Sequence, residues 1–351
     1  MKILILALSG IGDALMFTPA LQLLKNNYSD SQIDVLAMFK GVKDIFERNQ
    51  NVNKVLYKEF IKEGTLNSLK YLFQLRGKYD LTINVYPSNR KEYNIFNFLI
   101  GAPKRAAVSY LRQDIKNLGF LNNITFKEDD KLHNVEENIN LVGKITGKEF
   151  SDKPDLEFSL KPDDLLFADE FIKRFKIQEN ETVIGFHPGC AVLKNHIKRR
   201  WEPEKFSLLG KKLIDKYNAR ILIFGGPDET ELKNEVGEKI KSEKVIIAET
   251  NNLAQSAAVM KRCNLFITND SSLMHVAAAM QLKVIAIIGP TNTNYIYPWQ
   301  TEHRIVSLNL DCSPCFFYSP KPLTCSRTDI QFKCIKELDV DMVYKTAVEF
   351  L

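Results

Sequence analysis

The stretch Met1-Lys2-Ile3-Leu4-Ile5-Leu6-Ala7-Leu8, followed by Ser9-Gly10-Ile11-Gly12-Asp13, decides the fold. An apolar run without alternation ends at a glycine-bearing turn. Thr18–Asn27 then sets Ala20, Leu21 and Leu24 on one helical face. A buried strand, a glycine turn and an amphipathic helix make the opening of a parallel βα unit. Read as a signal peptide, the same run is short and lacks a small-x-small cleavage site, so a buried first strand and a cytoplasmic protein are expected.

The alternation continues outward. Ile33–Phe39, Leu81–Val85 and Lys104–Val108 read as strands, and Leu66–Leu75 and His133–Thr146 as helices. Residues 150–165, rich in Pro, Asp and Lys, read as a linker. Beyond it the strands are Val183–Phe186, Ile221–Phe224, Val245–Ile247, Leu265–Thr268 and Val284–Ile288. Helices are expected between them at Pro203–Lys216, Glu229–Ser242, Asn252–Lys261 and Met274–Met280. Two βα series predict an α/β protein with two doubly wound parallel-sheet domains, residues 1–160 and 161–337. Residues 338–351 are expected to form a closing helix that packs back on the first domain, with Asp339 and Asp341 at its start acting as caps rather than as a metal pair. Ligands are expected beyond the carboxyl ends of the strands.

The chain of 351 residues is 45% hydrophobic and 26% charged, which excludes collagen, a coiled-coil rod and a disordered tail. No stretch reaches the roughly 18 apolar residues of a transmembrane helix. The net charge of +5 is too mild to point to nucleic acid, and none is expected as a partner. Residues 1–150 hold 21 Lys and Arg against 16 Asp and Glu, so the whole surplus lies there. Within Arg90–Lys116, six cations (among them Arg90, Lys91 and Arg105) face two acids and are interleaved with Tyr93, Phe96, Phe98 and Tyr110. This reads either as a solvated face over core aromatics or as a basic surface for an anionic membrane.

Five segments carry chemistry. Ser9-Gly10-Ile11-Gly12-Asp13 resembles a dinucleotide fingerprint, but Leu15 takes the third small position and Asp34 lies near the start of the second strand, not its end. Asp13 reads as a helix cap or as a general base facing a cleft. Gly189-Cys190 and Lys198-Arg199-Arg200 follow a strand end and suit a diphosphate or form a solvated basic loop. After Gly225-Gly226, Asp228 and Glu229 can meet ribose hydroxyls or cap the next helix. Asn269-Asp270-Ser271-Ser272, with His275 one helical turn on, makes a ready anion site at a helix N-terminus. Gly289-Pro290-Thr291 is one more polar turn at the same edge. Cys312-x2-Cys315-x9-Cys325-x8-Cys334 matches structural zinc spacing loosely; disulfides and reduced packing thiols are the alternatives.

In order along the chain, Leu8-Ser9-Gly10-Ile11-Gly12-Asp13 with Thr18-Pro19-Ala20-Leu21, His187-Pro188-Gly189, Arg200-Trp201, Gly225-Gly226, Asn269-Asp270-Ser271-Ser272 with His275, Gly289-Pro290-Thr291 and Cys312-Ser313-Pro314-Cys315 resemble glycosyltransferase family 9, the lipopolysaccharide heptosyltransferases. The resemblance implies a GT-B fold, two Rossmann-like domains facing a cleft. It implies a nucleotide sugar, typically ADP-heptose, bound by the second domain and a glycolipid acceptor bound by the first, beside Ser9, Gly10 and Gly12. By the same resemblance Asp13 matches the general base, Asp270 the acid on the donor sugar, and Ser271 and Ser272 the amide donors to the diphosphate. The family's phosphate lysine falls at Arg199, beside Lys198, and the ribose acid is Asp228 or Glu229. The expectation is therefore an inverting transferase of lipopolysaccharide biosynthesis that needs no cofactor or catalytic metal and works in the cytoplasm or peripherally on the inner membrane. The competing expectations are a GT-B sugar-nucleotide epimerase or hydrolase, and a non-catalytic nucleotide or anionic-lipid binding protein.

Overall fold

Lys2–Ala7 (β1) lies inside a six-stranded parallel sheet with Ile3 to Ala7 buried, as an unalternating Ile/Leu run requires. The computed structural model describes residues 1–317 and 322–351, with the backbone alone for Leu193 and Lys194. Two units are present: Met1–Ser159, and Leu160–Phe317 with the described C-terminal residues.

The first unit runs through α1 (Ile11–Asn27), β2 (Gln32–Ala37), α2 (Lys40–Phe46), β3 (Lys54–Tyr57), α3 (Phe60–Leu75), β4 (Leu81–Asn84), α4 (Lys91–Ile100), β5 (Lys104–Ser109), β6 (Ile124–Lys127) and α5 (Asn134–Thr146). Its strand order is β3-β2-β1-β4-β5-β6, so the order reverses between β1 and β4. Leu4, Leu6 and Leu8 pack on one face against Phe60, Leu72 and Leu75 of α3 and Tyr93 and Ile100 of α4. Helix α1 packs with α2 and α5 in the other layer.

Helix α1 carries Pro19 in its interior, where the missing N–H would leave the Leu15 carbonyl unpaired. The Thr18 hydroxyl donates to that carbonyl at 2.7 Å and accepts from the Glu157 N–H at 2.8 Å. One buried side chain thus repairs the helix and ties down the segment leading out of the unit.

A net of buried asparagines fixes the chain between β5 and β6. Asn84 and Asn122 both donate to the Asn94 carbonyl oxygen, at 3.1 and 2.9 Å, while Asn94 donates to the Asn117 backbone carbonyl at 2.8 Å. Asn97 donates to Asn122 at 2.7 Å and Asn117 to Asn89 at 2.6 Å. Pairing among these groups offsets much of the cost of burying amides at this density, although Asn84 Oδ1 and Asn97 Oδ1 find no partner.

The second unit holds α6 (Pro162–Arg174), β7 (Val183–His187), α7 (Pro203–Tyr217), β8 (Arg220–Ile223), α8 (Thr230–Ile240), β9 (Val245–Ile247), α9 (Leu253–Met260), β10 (Leu265–Asn269), α10 (Ser272–Ala279), β11 (Val284–Ile287), α11 (Thr293–Ile296), β12 (His303–Val306), α12 (Lys333–Lys336) and α13 (Val340–Val348). All six strands are parallel in the order β12-β11-β10-β7-β8-β9, with the reversal between β7 and β10.

The linker bounds and the packing of the closing helix need correction. The linker is shorter than 150–165, because Pro162 opens α6 in the first-turn position that suits proline. The closing helix α13 belongs to the second unit, not the first: it packs on α7, β11 and β12, and Lys212 pairs with Asp341. Asp339 caps α13, accepting from the Met342 N–H at 2.8 Å. All six cysteines are free thiols, and among the described residues no three His, Cys, Asp or Glu side chains are arranged to hold a metal ion. Cys325 Sγ accepts from the Phe332 N–H at 3.2 Å. A Cβ at Gly289 would meet Cys334 Sγ at 3.2 Å, so the glycine makes room for the buried thiol. No helix among the described residues is long and apolar enough to cross a membrane.

Thr18→Val should leave the Leu15 carbonyl and the Glu157 N–H unpaired at nearly constant volume. We expect a loss of about 1–3 kcal/mol in urea unfolding; an unchanged midpoint would show that the hydroxyl does not carry this junction.

Candidate functional site at the strand-order reversals

Open parallel sheets bind ligands beyond the strand ends where the strand order reverses. In the second unit that point lies beyond β7 and β10, and the residues there are unusually polar for their burial. Arg199 and Asp270 form an ion pair with both side chains nine-tenths buried. Thr291, beyond β11, donates to the same Asp270 oxygen at 2.6 Å. The Arg199 guanidinium lies 5.5 Å from the Phe316 ring centroid and 3.4 Å from His196 Nδ1. Asn269 staples the frame, accepting from the Trp201 N–H at 2.9 Å and donating to the Pro188 carbonyl at 2.7 Å. Trp201 is itself buried and donates through Nε1 to the Leu338 carbonyl at 2.8 Å.

A second chain of polar contacts runs beside the first. His187, the last residue of β7, is 2.8 Å through Nδ1 from Ser271 Oγ and 3.0 Å through Nε2 from Glu229. Thr268 Oγ1 lies 3.1 Å from the same Ser271 hydroxyl. Glu229 also accepts from the Gly226 N–H at 3.0 Å and from Arg200 at 3.3 Å. Burial pushes the Glu229 carboxyl up, but the bonds and charge of His187, Gly226 and Arg200 outweigh it and hold the pKa below the usual carboxylate value. Arg200 donates further to the Cys190 carbonyl at 2.8 Å. Burial raises the Cys190 thiol, so it stays protonated at neutral pH. A Cβ on Gly189 would come within 1.8 Å of a Glu229 oxygen, so a side chain there would force that carboxylate to move.

Ser271 is the N-cap of α10 and Ser272 its first residue, so the outward N–H groups of that helix stand next to Asp270 and Arg199. His275 is buried and its Nδ1 has no partner. Burial lowers its pKa to about 4, against the opposing pull of the Asp270 charge. Lys198 and Asp228 are both exposed. The structure therefore brings Arg199, Asp270, Ser271, Ser272 and His275 together, and engages Glu229 with His187, Gly226 and Arg200.

In the first unit the reversal lies between β1 and β4. Asp13 is in the first turn of α1 and accepts from the Gly10 N–H at 3.0 Å. Ser9 and Gly10 complete the turn, and Gly12 is buried in the helix start. Tyr93 donates to the Leu8 carbonyl at 2.8 Å, while the Arg90 guanidinium lies 5.9 Å from its ring. Burial raises the Tyr93 phenol to about 12, with Arg90 pulling down and Asp13 pushing up. Arg90 and Asp13 thus share one neighbour at one sheet edge. Lys91 is exposed at the start of α4.

Arg105 is placed elsewhere. It sits near the amino end of β5, level with Thr82, and donates to the Leu121 and Ala102 carbonyls at 2.9 and 2.8 Å. It braces the turn before β6 rather than facing a ligand. Of the aromatics interleaved with these cations, Tyr93 is buried, as the core-aromatic reading expects, and Tyr110 is half-buried and stacks on Tyr86 at 5.3 Å. Sequence reasoning did not single out His187, His196 or Phe316 as site residues; only His187 lay within a motif that could have drawn attention to it.

A family profile described as glycosyltransferase family 9 (heptosyltransferase) matches residues 69–323. The chain belongs to this family. It is a glycosyltransferase. It is 28% identical to lipooligosaccharide heptosyltransferase 2 of Campylobacter jejuni over 100% of this chain and 98% of that protein. It is 27% identical to the Haemophilus influenzae protein of the same name over 88% of this chain and 89% of the relative. Among solved structures, Escherichia coli ADP-heptose lps heptosyltransferase II superposes with a TM-score of 0.74 at 22% identity, covering 100% of this chain and 98% of that one. The family 9 protein of Veillonella parvula gives 0.72 at 24% identity, over 87% and 85% of the two chains. These likenesses in structure identify the two-Rossmann-domain GT-B fold.

The buried neutral His275 of this family 9 enzyme has a consequence for stability. Its folded pKa lies below its unfolded value of about 6.5, so its stabilising effect is full above pH of about 6.5 and is lost as the pH falls through about 4. We expect His275→Gln to remove up to about 3 kcal/mol of the wild-type loss between those pH values, measured by urea unfolding. Equal losses in the two proteins would overturn the assignment.

Proposed function

We propose that the protein moves a heptosyl group from ADP-heptose to a saccharide hydroxyl of a lipopolysaccharide core or related glycolipid, with inversion at the anomeric carbon. The observation that carries this reading is the ion pair of Arg199 and Asp270 beside the N-terminus of α10, at the strand-order reversal of a family 9 enzyme. The relatives it matches across most of their length are heptosyltransferases of lipooligosaccharide or lipopolysaccharide.

The diphosphate of the donor suits Arg199 and the first N–H groups of α10, which together offer a fixed charge and aimed dipoles. Asp270 suits the sugar hydroxyls, its carboxylate oriented by Arg199 and Thr291. His187 and Thr268 fix the Ser271 hydroxyl and with it the first turn of α10.

In the transfer, the acceptor oxygen forms a bond to the anomeric carbon while the bond from that carbon to the diphosphate oxygen breaks. The proton of the hydroxyl passes to the Asp13 carboxylate, and the electron pair of the broken bond leaves on the diphosphate. The reading assigns that charge to Arg199 and the α10 N–H groups and calls for no metal ion. The acceptor end is a polar saccharide on a lipid, so the first unit works where such lipids reside, at a membrane surface.

Two measurements test this. Asp13→Asn keeps an acceptor for the Gly10 N–H but removes the base; turnover should fall by about 10²–10⁴ with donor binding retained. Unimpaired turnover by a folded Asp13→Asn protein would sink the base assignment. In a thermal-shift panel of nucleotide sugars, ADP-heptose should raise the midpoint of the wild type and not of Arg199→Met. A shift with a different nucleotide sugar in place of ADP-heptose would reassign the donor.

A further inference from the structure

The first unit is lopsided in a way its catalytic edge does not explain. Helices α3 and α4 and the turn Gly119–Leu121 pack together on one face of the sheet. Leu66 is 83% exposed there, Ile115 82%, Ile61 71% and Phe120 66%. Phe73 of α3 and Phe98 of α4 are exposed beside them. In the opposite layer, among the described residues, the spans of α1, α2 and α5 carry no exposed large apolar side chain, and Phe39 at the N-cap of α2 is only 36% exposed.

Two of these side chains, Ile115 and Phe120, sit on a turn held by side-chain hydrogen bonds. The turn that carries Ile115 and Phe120 is pinned by Asn117 to Asn89 and by Asn122 to Asn94. Asp114 accepts from the Tyr110 N–H at 2.9 Å and from the Ser109 hydroxyl at 3.2 Å. Holding large apolar groups in water at fixed positions costs free energy, which a partner surface would recover.

The charge on the same face selects the partner. Residues 58–121 hold eleven Lys and Arg against five Asp and Glu, more than the whole +5 of the chain. Lys62, Lys70, Arg90, Lys91 and Lys116 are exposed. Separate apolar side chains standing among cations match a bilayer interface, where the former enter the acyl boundary and the latter meet anionic headgroups. The turn bearing Leu111 and Ile115 follows the carboxyl end of β5, the same sheet edge as Asp13.

We propose that the face formed by α3, α4 and the turn at residues 111–121 is the surface by which this protein lies on an anionic membrane, with Ile115 and Phe120 entering the bilayer interface. The proposal rests on the reading above that the acceptor is a glycolipid, and it names the membrane contact of that same unit.

The test is co-sedimentation of the full chain with vesicles of phosphatidylethanolamine and phosphatidylglycerol, and with vesicles of phosphatidylcholine alone. Wild type should bind the anionic vesicles, more weakly at high salt, and bind phosphatidylcholine less. Ile115→Ser combined with Phe120→Ser should weaken anionic-vesicle binding about tenfold or more. That double variant should transfer sugar to a water-soluble, deacylated core acceptor at the wild-type rate. Val348→Ser, at an exposed apolar position of α13, should bind like wild type. Equal binding by the double variant, no binding by wild type, or a double variant that merely loses self-association would overturn the proposal. A wild type that binds through these residues but transfers no sugar to the soluble acceptor would overturn the transferase reading and leave the membrane face standing.

Discussion

The ion pair between Arg199 and Asp270 is the constraint around which the second unit is organised. Removing two charges from water costs several kcal/mol per ion, and their mutual attraction seldom returns a net gain over an apolar pair. Such a pair in so dry a place is weak support for stability. The surrounding contacts show how the fold supports it: Thr291 takes up an Asp270 oxygen, Phe316 stacks on the guanidinium, and Asn269 with buried Trp201 holds the two segments in register. A preformed cation beside a helix N-terminus has its reorganisation cost met during folding, which suits it to the diphosphate that the proposed reading assigns to it.

The same logic orders the chain of contacts from Glu229 through His187 to Ser271. A carboxylate orients an imidazole and the imidazole orients a hydroxyl, all below the surface. The glycine at position 189 leaves that carboxylate its space. In the first unit the corresponding device is smaller. Asp13 caps its own helix through Gly10, and Tyr93 ties Leu8 to α4, placing Arg90 at the same edge.

How much of this was legible in the sequence depended on burial pattern. Strand β1 is plain because both its faces are buried, so every residue after the exposed Lys2 is apolar. Helix α4 was hidden because its inward face carries Asn94 and Asn97, buried in an amide net, so its amphipathic pattern is disguised. Strands β3 and β12 are short edge strands of intermediate burial, which leaves little periodicity to read. At the site, Asp270 and Ser271 stand out because polar residues end a buried strand. Thr291 meets Asp270 from the neighbouring strand end, and Phe316 meets Arg199 from more than a hundred residues away, contacts that no local spacing encodes. Neighbouring cations were also indistinguishable in sequence: Lys198 is exposed, Arg199 is buried on Asp270, and Arg105 braces a turn.

The central claim is group transfer, and it is tested most directly by following both products in one reaction. Incubate the protein with ADP-heptose and deacylated lipopolysaccharide core, and measure released ADP alongside the mass of the core. The account predicts ADP in equal amount to core molecules that have gained one heptosyl residue, joined with the anomeric configuration inverted. Release of ADP with no gain in core mass, or no ADP release from a folded protein that binds the donor, would contradict it.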